Sequence, residues 1–370
     1  MAVPAAPAPS RETAAGLRLI RIGLLGFGHV GQAVARAAAA AAPRLREHGL
    51  ALSLECAFVR DVSKPRRGPK AARLTSNAEA FLRGRYDAVI DALPGREPAA
   101  TILGRVLGKG IPVASANKVL IAAEGRRLRR IALRAGTTLR VDAAVMAGVP
   151  FLGAFERRPM AAHVWRFAGV VNGTSHFVLS RLADGVPFDT ALGEAQARGY
   201  AEPDPAADLS GRDALEKLVI LAETLFGAAI RPQAVAIEGI ANLTPDDLAA
   251  AARAGGQLKP VIFAERVEDR DGPRVNAFVG PAWVPASHPL AGITGRDNAI
   301  VIDSRGSGRL VFAGPGAGPD VTAATLLDDA IEGARDASPA SYRTGVTAVV
   351  RWPETGWFTH GAKTWRVLHD

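Results

Sequence analysis

The stretch LRLIRIGLLGFGHVGQAVARAAAA, residues 17–40, changes character at its middle. Leu17 to Leu25 is an apolar, β-branched run ending in Gly26. The alanine-rich segment after Gly31 consists of strong helix formers up to Pro43, where the helix is expected to stop. Strand, tight turn and helix follow in that order. The turn reads Gly26, Phe27, Gly28, His29, Val30, Gly31, a GxGxxG spacing. Glycines are needed there because the turn is tight, because the backbone must approach a pyrophosphate, and because helix and strand pack closely; the helix N-terminus then faces the anion.

Outward from this turn the alternation continues. Leu50 to Val59, Ala88 to Leu93 and Ile111 to Ser115 read as short strands, with helical stretches at Pro98 to Leu107 and Glu124 to Ala135. Such alternation predicts an α/β fold, a doubly wound Rossmann-type parallel sheet with helices on its faces. After about Pro150 the rhythm changes. Val164 to Val171, Pro260 to Arg266, Arg274 to Val279 and Ala299 to Asp303 look like strands joined by turns or excursions, which suits a second α+β domain with a mainly antiparallel sheet. Thr322 to Ala334 is helical again and is expected to return to the first domain. The resulting division is a flexible lead-in at 1–17, a nucleotide domain at 18–145 completed by about 314–340, a substrate and dimerisation domain at 146–313, and a tail at 341–370. The tail carries a strand pattern at Val346 to Trp352 whose role the sequence leaves open.

Composition narrows the classes. A chain of 370 residues with 48% hydrophobic content holds two cores, since one core stops growing near about 250 to 300 residues. The single cysteine, Cys56, excludes an internal disulfide and a cysteine metal cage and fits a reducing compartment, so cytoplasm is expected. No apolar stretch of about 18 residues points to a membrane. The net charge of +9 comes from arginines spread along the chain without stacking aromatics, which argues against nucleic acid and for a small phosphorylated ligand. After the second strand, Arg60 arrives first, followed by Lys64, Arg66 and Arg67. Cations at that place favour the 2′-phosphate of NADP, whereas Asp61 could take the ribose hydroxyls of NAD.

Further motifs follow in order: Ser115-Ala116-Asn117-Lys118, Val145-Met146-Ala147-Gly148-Val149-Pro150, Asn172-Gly173-Thr174, and Gly199-Tyr200-Ala201-Glu202-Pro203-Asp204-Pro205 running on through Asp208, Gly211, Asp213 and Lys217. Asn298-Ala299 and the Gly314 to Gly318 run with Thr322 and Ala323 come later. Together these resemble the homoserine dehydrogenase family over about residues 18 to 335, in a short form without the C-terminal ACT regulatory domain many relatives carry. That family interconverts L-homoserine and L-aspartate 4-semialdehyde by hydride transfer with NAD(P), in the biosynthesis of threonine, methionine and isoleucine.

Spacing alone puts Asp213 and Lys217 four apart on one helix, with Leu215, Leu218, Val219 and Ala222 as the opposite, core-facing stripe. Such a pair is either an exposed ion pair worth a few tenths of a kcal/mol or part of a site. The dense acids upstream, Glu202, Asp204 and Asp208, in a segment expected to be irregular, favour the site. The resemblance implies that Lys217 handles the hydroxyl proton and that Lys118 lies near the nicotinamide and the same oxygen. It assigns Glu202 and Asp213 to the substrate and Asp208 to support of the two lysines. Burial or a second cation would be needed to bring a lysine near neutral pH.

The resemblance also places Gly199 and Gly318 against the cofactor, with structural turns as the competing reading. It implies a monovalent cation, usually sodium, held by Asp142 and the carbonyls of Val145, Ala147 and Val149, although glutamate is usual where this chain has Asp142. A homodimer is implied as well. Ser115 stands where threonine is common, and His176, which replaces a polar residue, reads as a structural histidine. Three other activities compete. Aspartate-semialdehyde dehydrogenase needs a nucleophilic cysteine, and Cys56 lies inside a strand. A non-catalytic NADP-binding regulator would not need Lys118, Asp213 and Lys217. The third is a dehydrogenase of a related small amino-alcohol.

Overall fold

A computed structural model describes residues 16–66, 68–156, 163–269, 272–335, 348–351 and 356–369. The chain divides into two compact units, Met1–Arg157 with Ala317–Tyr342, and Arg158–Gly316 with Arg343–Asp370.

The first unit runs β1 (Arg18–Leu25), α1 (His29–Glu47), β2 (Leu50–Phe58), β3 (Leu74–Thr75), α2 (Ala78–Leu82), β4 (Ala88–Asp91), α3 (Ala99–Gly108), β5 (Val113–Ser115), α4 (Lys118–Arg134), β6 (Leu139–Arg140), α5 (Asp142–Val145) and α6 (Leu152–Glu156). Its six strands are all parallel in the order β3-β2-β1-β4-β5-β6. The order reverses between β1 and β4, so the turn after β1 opens at the switch point, where doubly wound sheets bind ligands. Ile20, Ile22, Leu24, Val34 and Ile90 are buried in one core with Ala323, Leu326 and Ala330 of the return helix Pro319–Arg335. Burying side chains of this size contributes roughly 1.5–3 kcal/mol each for the larger ones.

Two helix expectations need correction. Pro43 does not end α1, which continues to Glu47. Proline removes one intrahelical hydrogen bond, but Leu45 beyond it packs against the core and holds the last turn. The helix expected to begin near Glu124 starts at Lys118, because the Asn117 side chain caps it, accepting from Leu120 N at 3.1 Å.

The second unit runs β7 (Val164–Val170), α7 (Gly173–Ala183), α8 (Phe188–Ala197), α9 (Ala206–Leu209), α10 (Arg212–Leu221), β8 (Ala236–Ile237), α11 (Pro245–Arg253), β9 (Gly256–Asp269), β10 (Gly272–Pro285), β11 (Asp297–Ser304) and β12 (Gly308–Pro315). The tail adds β13 (Val349–Arg351), β14 (Trp357–His360) and β15 (Lys363–Val367). The sheet runs β12-β11-β7-β9-β10-β15-β14 and is mainly antiparallel; β8, β13 and β15 join β10 in parallel. β9 and β10 are longer than hydrophobic runs suggest, since Gly256 pairs with Pro285 and Asp269 with Gly272 along the whole hairpin. The tail is part of this unit: Trp365 is buried among Phe177, Leu179 and Leu182, and Lys363 pairs with Asp247 of α11 at 2.6 Å. Among the described residues no helix is long and apolar enough to cross a membrane.

Candidate active site

The three glycines of the first turn differ in what they tolerate. Gly26 has φ +89°, a left-handed conformation, and a Cβ there would stand 2.7 Å from the Ala92 carbonyl oxygen. At Gly31 a Cβ would stand 2.2 Å from the Gly26 carbonyl oxygen. A Cβ at Gly28 meets nothing within 4 Å. Gly28 is the N-cap of α1, no side chain caps this helix, and its first turn holds no acid. The N-terminus of a 19-residue helix thus presents backbone donors and the positive end of its dipole beside an open glycine. This cradle fits the pyrophosphate of a dinucleotide. His29 is exposed, Val30 is half-buried, and Phe27 lies in the core.

Beyond β2, the basic loop separates into different tasks. Arg66 donates to the carbonyls of Phe27 (3.3 Å), Lys64 (2.8 Å) and Asp61 (2.7 Å), pinning the loop to the glycine turn. Asp61 accepts from both the N–H and the hydroxyl of Ser63, at 2.8 and 2.6 Å, and these bonds hold its carboxyl below the usual range. Arg60 is exposed, with no partner among the described residues. Arg67 lies outside the described residues.

Lys118 is the first residue of α4 and half-buried. A cation at a helix N-terminus opposes the macrodipole by about 0.3–1 kcal/mol, so helix stability does not explain it. The turn before it rests on Asp91, a residue that sequence reading missed. Asp91 is fully buried at the end of β4, its carboxylate accepting from Ser115 Oγ at 2.9 Å and Leu93 N at 3.1 Å. Burial pushes it up to about 6. The only hint in the sequence is a lone acid closing the apolar run Ala88-Val89-Ile90.

In the second unit, residues far apart in sequence meet. Lys217 Nζ lies 2.8 Å from Asp213 Oδ2 and donates to the Val171 carbonyl at 2.6 Å. Asn172, the N-cap of α7, donates through Nδ2 to Asp208 Oδ1 at 2.7 Å and Asp213 Oδ2 at 2.8 Å. Gly211, at φ +81°, takes the left-handed turn between α9 and α10 that lets both carboxylates reach one amide. Asp213 and Lys217 are 7% and 8% exposed, so this is not a surface ion pair.

Several expectations change here. The polar and apolar faces of α10 are both buried, and Ala222 falls in a π-helical turn beyond it. Asp208 lies on the short helix α9 and contacts Asn172 rather than a lysine. Glu202 is exposed, its side chain bonding to no described residue. Asn172, quoted only as part of a motif, is the hub of the cluster, and its N-cap position was the available signal. Gly199, at φ +69°, follows the C-cap of α8, and the Gly318 carbonyl accepts the N–H of Thr322 in the return helix. Both glycines therefore have local structural reasons.

Two of the four expected cation ligands accept hydrogen bonds within the protein. Asp142 is buried, and its carboxylate accepts from the N–H groups of Phe151 (3.0 Å), Leu152 (2.7 Å) and Gly153 (3.1 Å). The Ala147 carbonyl accepts the Thr325 hydroxyl. Asp142 and the Ala147 carbonyl, two of the expected ligands, thus already accept hydrogen bonds within the protein, and burial raises the Asp142 carboxyl above its usual range.

His176 is fully buried on α7. Its Nδ1 bonds the Asp297 carbonyl at 3.0 Å, and its Nε2 faces Lys259 Nζ at 3.3 Å. Burial first, and the Lys259 amine second, push it down to about 4, so it stays neutral as a structural group. A histidine titrating near 6.5 when unfolded and near 4 when folded binds more protons unfolded. Stability is therefore lost as pH falls from about 6.5 toward 4, on the order of 3 kcal/mol for that interval. His176→Gln keeps a donor and an acceptor, and its Tm is expected to vary less than that of the wild type across this window. Parallel Tm curves for the two proteins would remove His176 as the cause.

Two family models match the chain. One, described as homoserine dehydrogenase, matches residues 150–331. The other, described as homoserine dehydrogenase, NAD binding domain, matches residues 26–142. A homoserine dehydrogenase of Corynebacterium glutamicum is 36% identical over 321 residues, covering 86% of this chain and 72% of the relative. One from Mycobacterium leprae is 37% identical over 323 residues, covering 86% and 73%. Among solved structures, a homoserine dehydrogenase from Thiobacillus denitrificans is similar at a TM-score of 0.81 and 29% identity, over 92% of this chain and 81% of that one.

Proposed function

The chain belongs to the homoserine dehydrogenase family and is an oxidoreductase of that activity; on that premise we propose how its own residues carry the reaction. The reaction is reversible hydride transfer between L-homoserine and L-aspartate 4-semialdehyde. A bound nicotinamide dinucleotide supplies the hydride acceptor or donor at the alcohol carbon. Lys217 takes the hydroxyl proton in oxidation and returns it in reduction. Asp213 orients that amine, and Asp213, Asp208 and Glu202 hold the substrate ammonium, which carboxylates suit. Lys118 serves the nicotinamide and the substrate oxygen. The observation that carries this reading is the buried Asp213 and Lys217 pair, 2.8 Å apart. An amine held at that depth by a carboxylate and a backbone carbonyl is not a solvated surface group, which supports a part in proton transfer.

The cofactor assigned is NADP, held by Gly26, Phe27, Gly28, His29, Val30 and Gly31, with Gly199 and Gly318 as further contacts. Asp61 is committed to its own turn, while Arg60 is open to solvent, which favours a 2′-phosphate over bare ribose. A homodimer and a cytoplasmic location belong to the same proposal, on the family pattern. No step is assigned to a monovalent cation.

The test follows the absorbance of the reduced nicotinamide with homoserine and either NADP or NAD. Arg60→Ala is expected to lower kcat/KM for NADP by about 10 to 100-fold, the range of one charge-assisted hydrogen bond, and to leave NAD rates within about twofold. Unchanged NADP preference in the variant would defeat the assignment of Arg60, and background activity with homoserine in the wild type would defeat the proposed chemistry.

A further inference from the structure

We propose that Asn172 is a positioning residue for hydride transfer: one amide holds the Asp208 and Asp213 carboxylates together and so fixes the carboxylate paired with Lys217. This rests on the reading that Asp213 and Lys217 act in the reaction.

The orientation of the amide follows from its neighbours. Asn172 Oδ1 accepts the N–H of Ser175 at 2.8 Å, in the first turn of α7. A helix N-terminus presents donors only, so the oxygen must face it and the NH2 must face away. The two Nδ2 protons then meet two carboxylates, Asp208 at 2.7 Å and Asp213 at 2.8 Å. Ser175 Oγ adds a second tie to the same segment, donating to the Asp208 carbonyl at 2.8 Å. Asn172 and Asp213 are both buried, at 5% and 7% exposed. Like charges drawn to one place repel, and a shared neutral donor satisfies both without adding charge. Asp213 Oδ2 is the same oxygen that lies beside Lys217 Nζ, so the amide and the amine meet on one atom. The backbone closes the link, because Lys217 also bonds the carbonyl of Val171, the residue before Asn172. A shift of Asn172 therefore moves both partners of the amine.

Two roles of Asn172 can be separated by substitution. Asn, Asp and Ser cap helices about equally well, so Asn172→Ser and Asn172→Asp should both keep α7 capped. Toward the carboxylates they differ in grade. Asn offers two donor protons, Ser one, and ionised Asp none, with an added negative charge. The expected result is a graded loss of kcat for homoserine oxidation, about tenfold for Asn172→Ser and about a hundredfold for Asn172→Asp, in steps of the size one charge-assisted hydrogen bond carries. Kd for NADP, read by nucleotide fluorescence, should stay within about twofold for both, and Tm should stay within a few degrees for Asn172→Ser, whereas Asn172→Asp adds a third buried carboxylate beside two others and lowers Tm as well. Lys217→Met is run beside them.

If Lys217→Met is inactive while both Asn172 variants stay within about threefold of the wild type, the positioning role is overturned and the site reading stands. If kcat of the neutral variant Asn172→Ser falls only in step with its Tm, Asn172 is a helix cap alone and the proposal is also overturned. If Lys217→Met keeps wild-type rates, the site reading fails and the proposal with it.

Discussion

Lys217→Met is expected to lower kcat for homoserine oxidation by about 10² to 10⁴-fold, the range lost with a positioned acid–base group, while leaving NADP affinity unchanged. The argument starts from burial. Lys217 and Asp213 are both nearly closed to solvent, and removing one member of a buried ion pair costs about 3–5 kcal/mol, because the other charge is left uncompensated. Lys217→Met should therefore lose stability as well as activity, and activity alone would not identify a chemical role. The double variant Asp213→Asn with Lys217→Met separates the two. It removes both charges, and replacing a buried pair by neutral groups of similar volume is often near neutral for stability. Its Tm should return toward the wild type, whereas its kcat should stay at the level of Lys217→Met or below. Recovery of both would make the pair a structural element and leave the proton without a carrier.

How much of this was readable from the chain depends on distance in sequence. The glycine turn was readable because strand, turn and helix form one continuous stretch, residues 18–47, and Gly31 answers to Gly26 beside it, whereas the Ala92 carbonyl that closes on Gly26 comes from beyond β4 and left no local sign. Lys217 and Asp213 were readable because a helix brings i and i+4 together wherever it lies. The hub at Asn172 was not, since its partners stand 36 and 41 residues away and the turn at Gly211 decides whether they meet. Asp91 escaped for the same reason: its hydroxyl partner, Ser115, comes from the neighbouring parallel strand, 24 residues on. The contacts of the expected cation ligands were hidden for a different reason. Four ligands were carried over by position, but whether a carboxylate is free depends on where the next helix starts, and Asp142 accepts from the first turn of α6. Pro43 failed because local preference yielded to the packing of Leu45.

Gly28→Ala is the second change with a large expected effect, and it bears on the cofactor alone. Gly26 and Gly31 cannot serve this purpose. At Gly26, any side chain would sit in a left-handed conformation against the Ala92 carbonyl, and at Gly31 it would overlap the Gly26 carbonyl, so both substitutions should lower Tm. Gly28 has φ −82° and open space around its missing Cβ. A methyl group there disturbs nothing in the protein but fills part of the approach to the N-terminus of α1. The Tm of the unliganded variant is expected to match the wild type within a few degrees. With NADP added at about 100 times its wild-type Kd, the wild type gains about 2.7 kcal/mol of stability by mass action, and the variant should gain far less. A loss of about 10 to 100-fold in affinity corresponds to roughly 1.4–2.8 kcal/mol, the scale of the phosphate hydrogen bonds blocked. Equal shifts in Tm for the two proteins would mean that the pyrophosphate does not pass this glycine, and the nucleotide would have to lie elsewhere on the first unit.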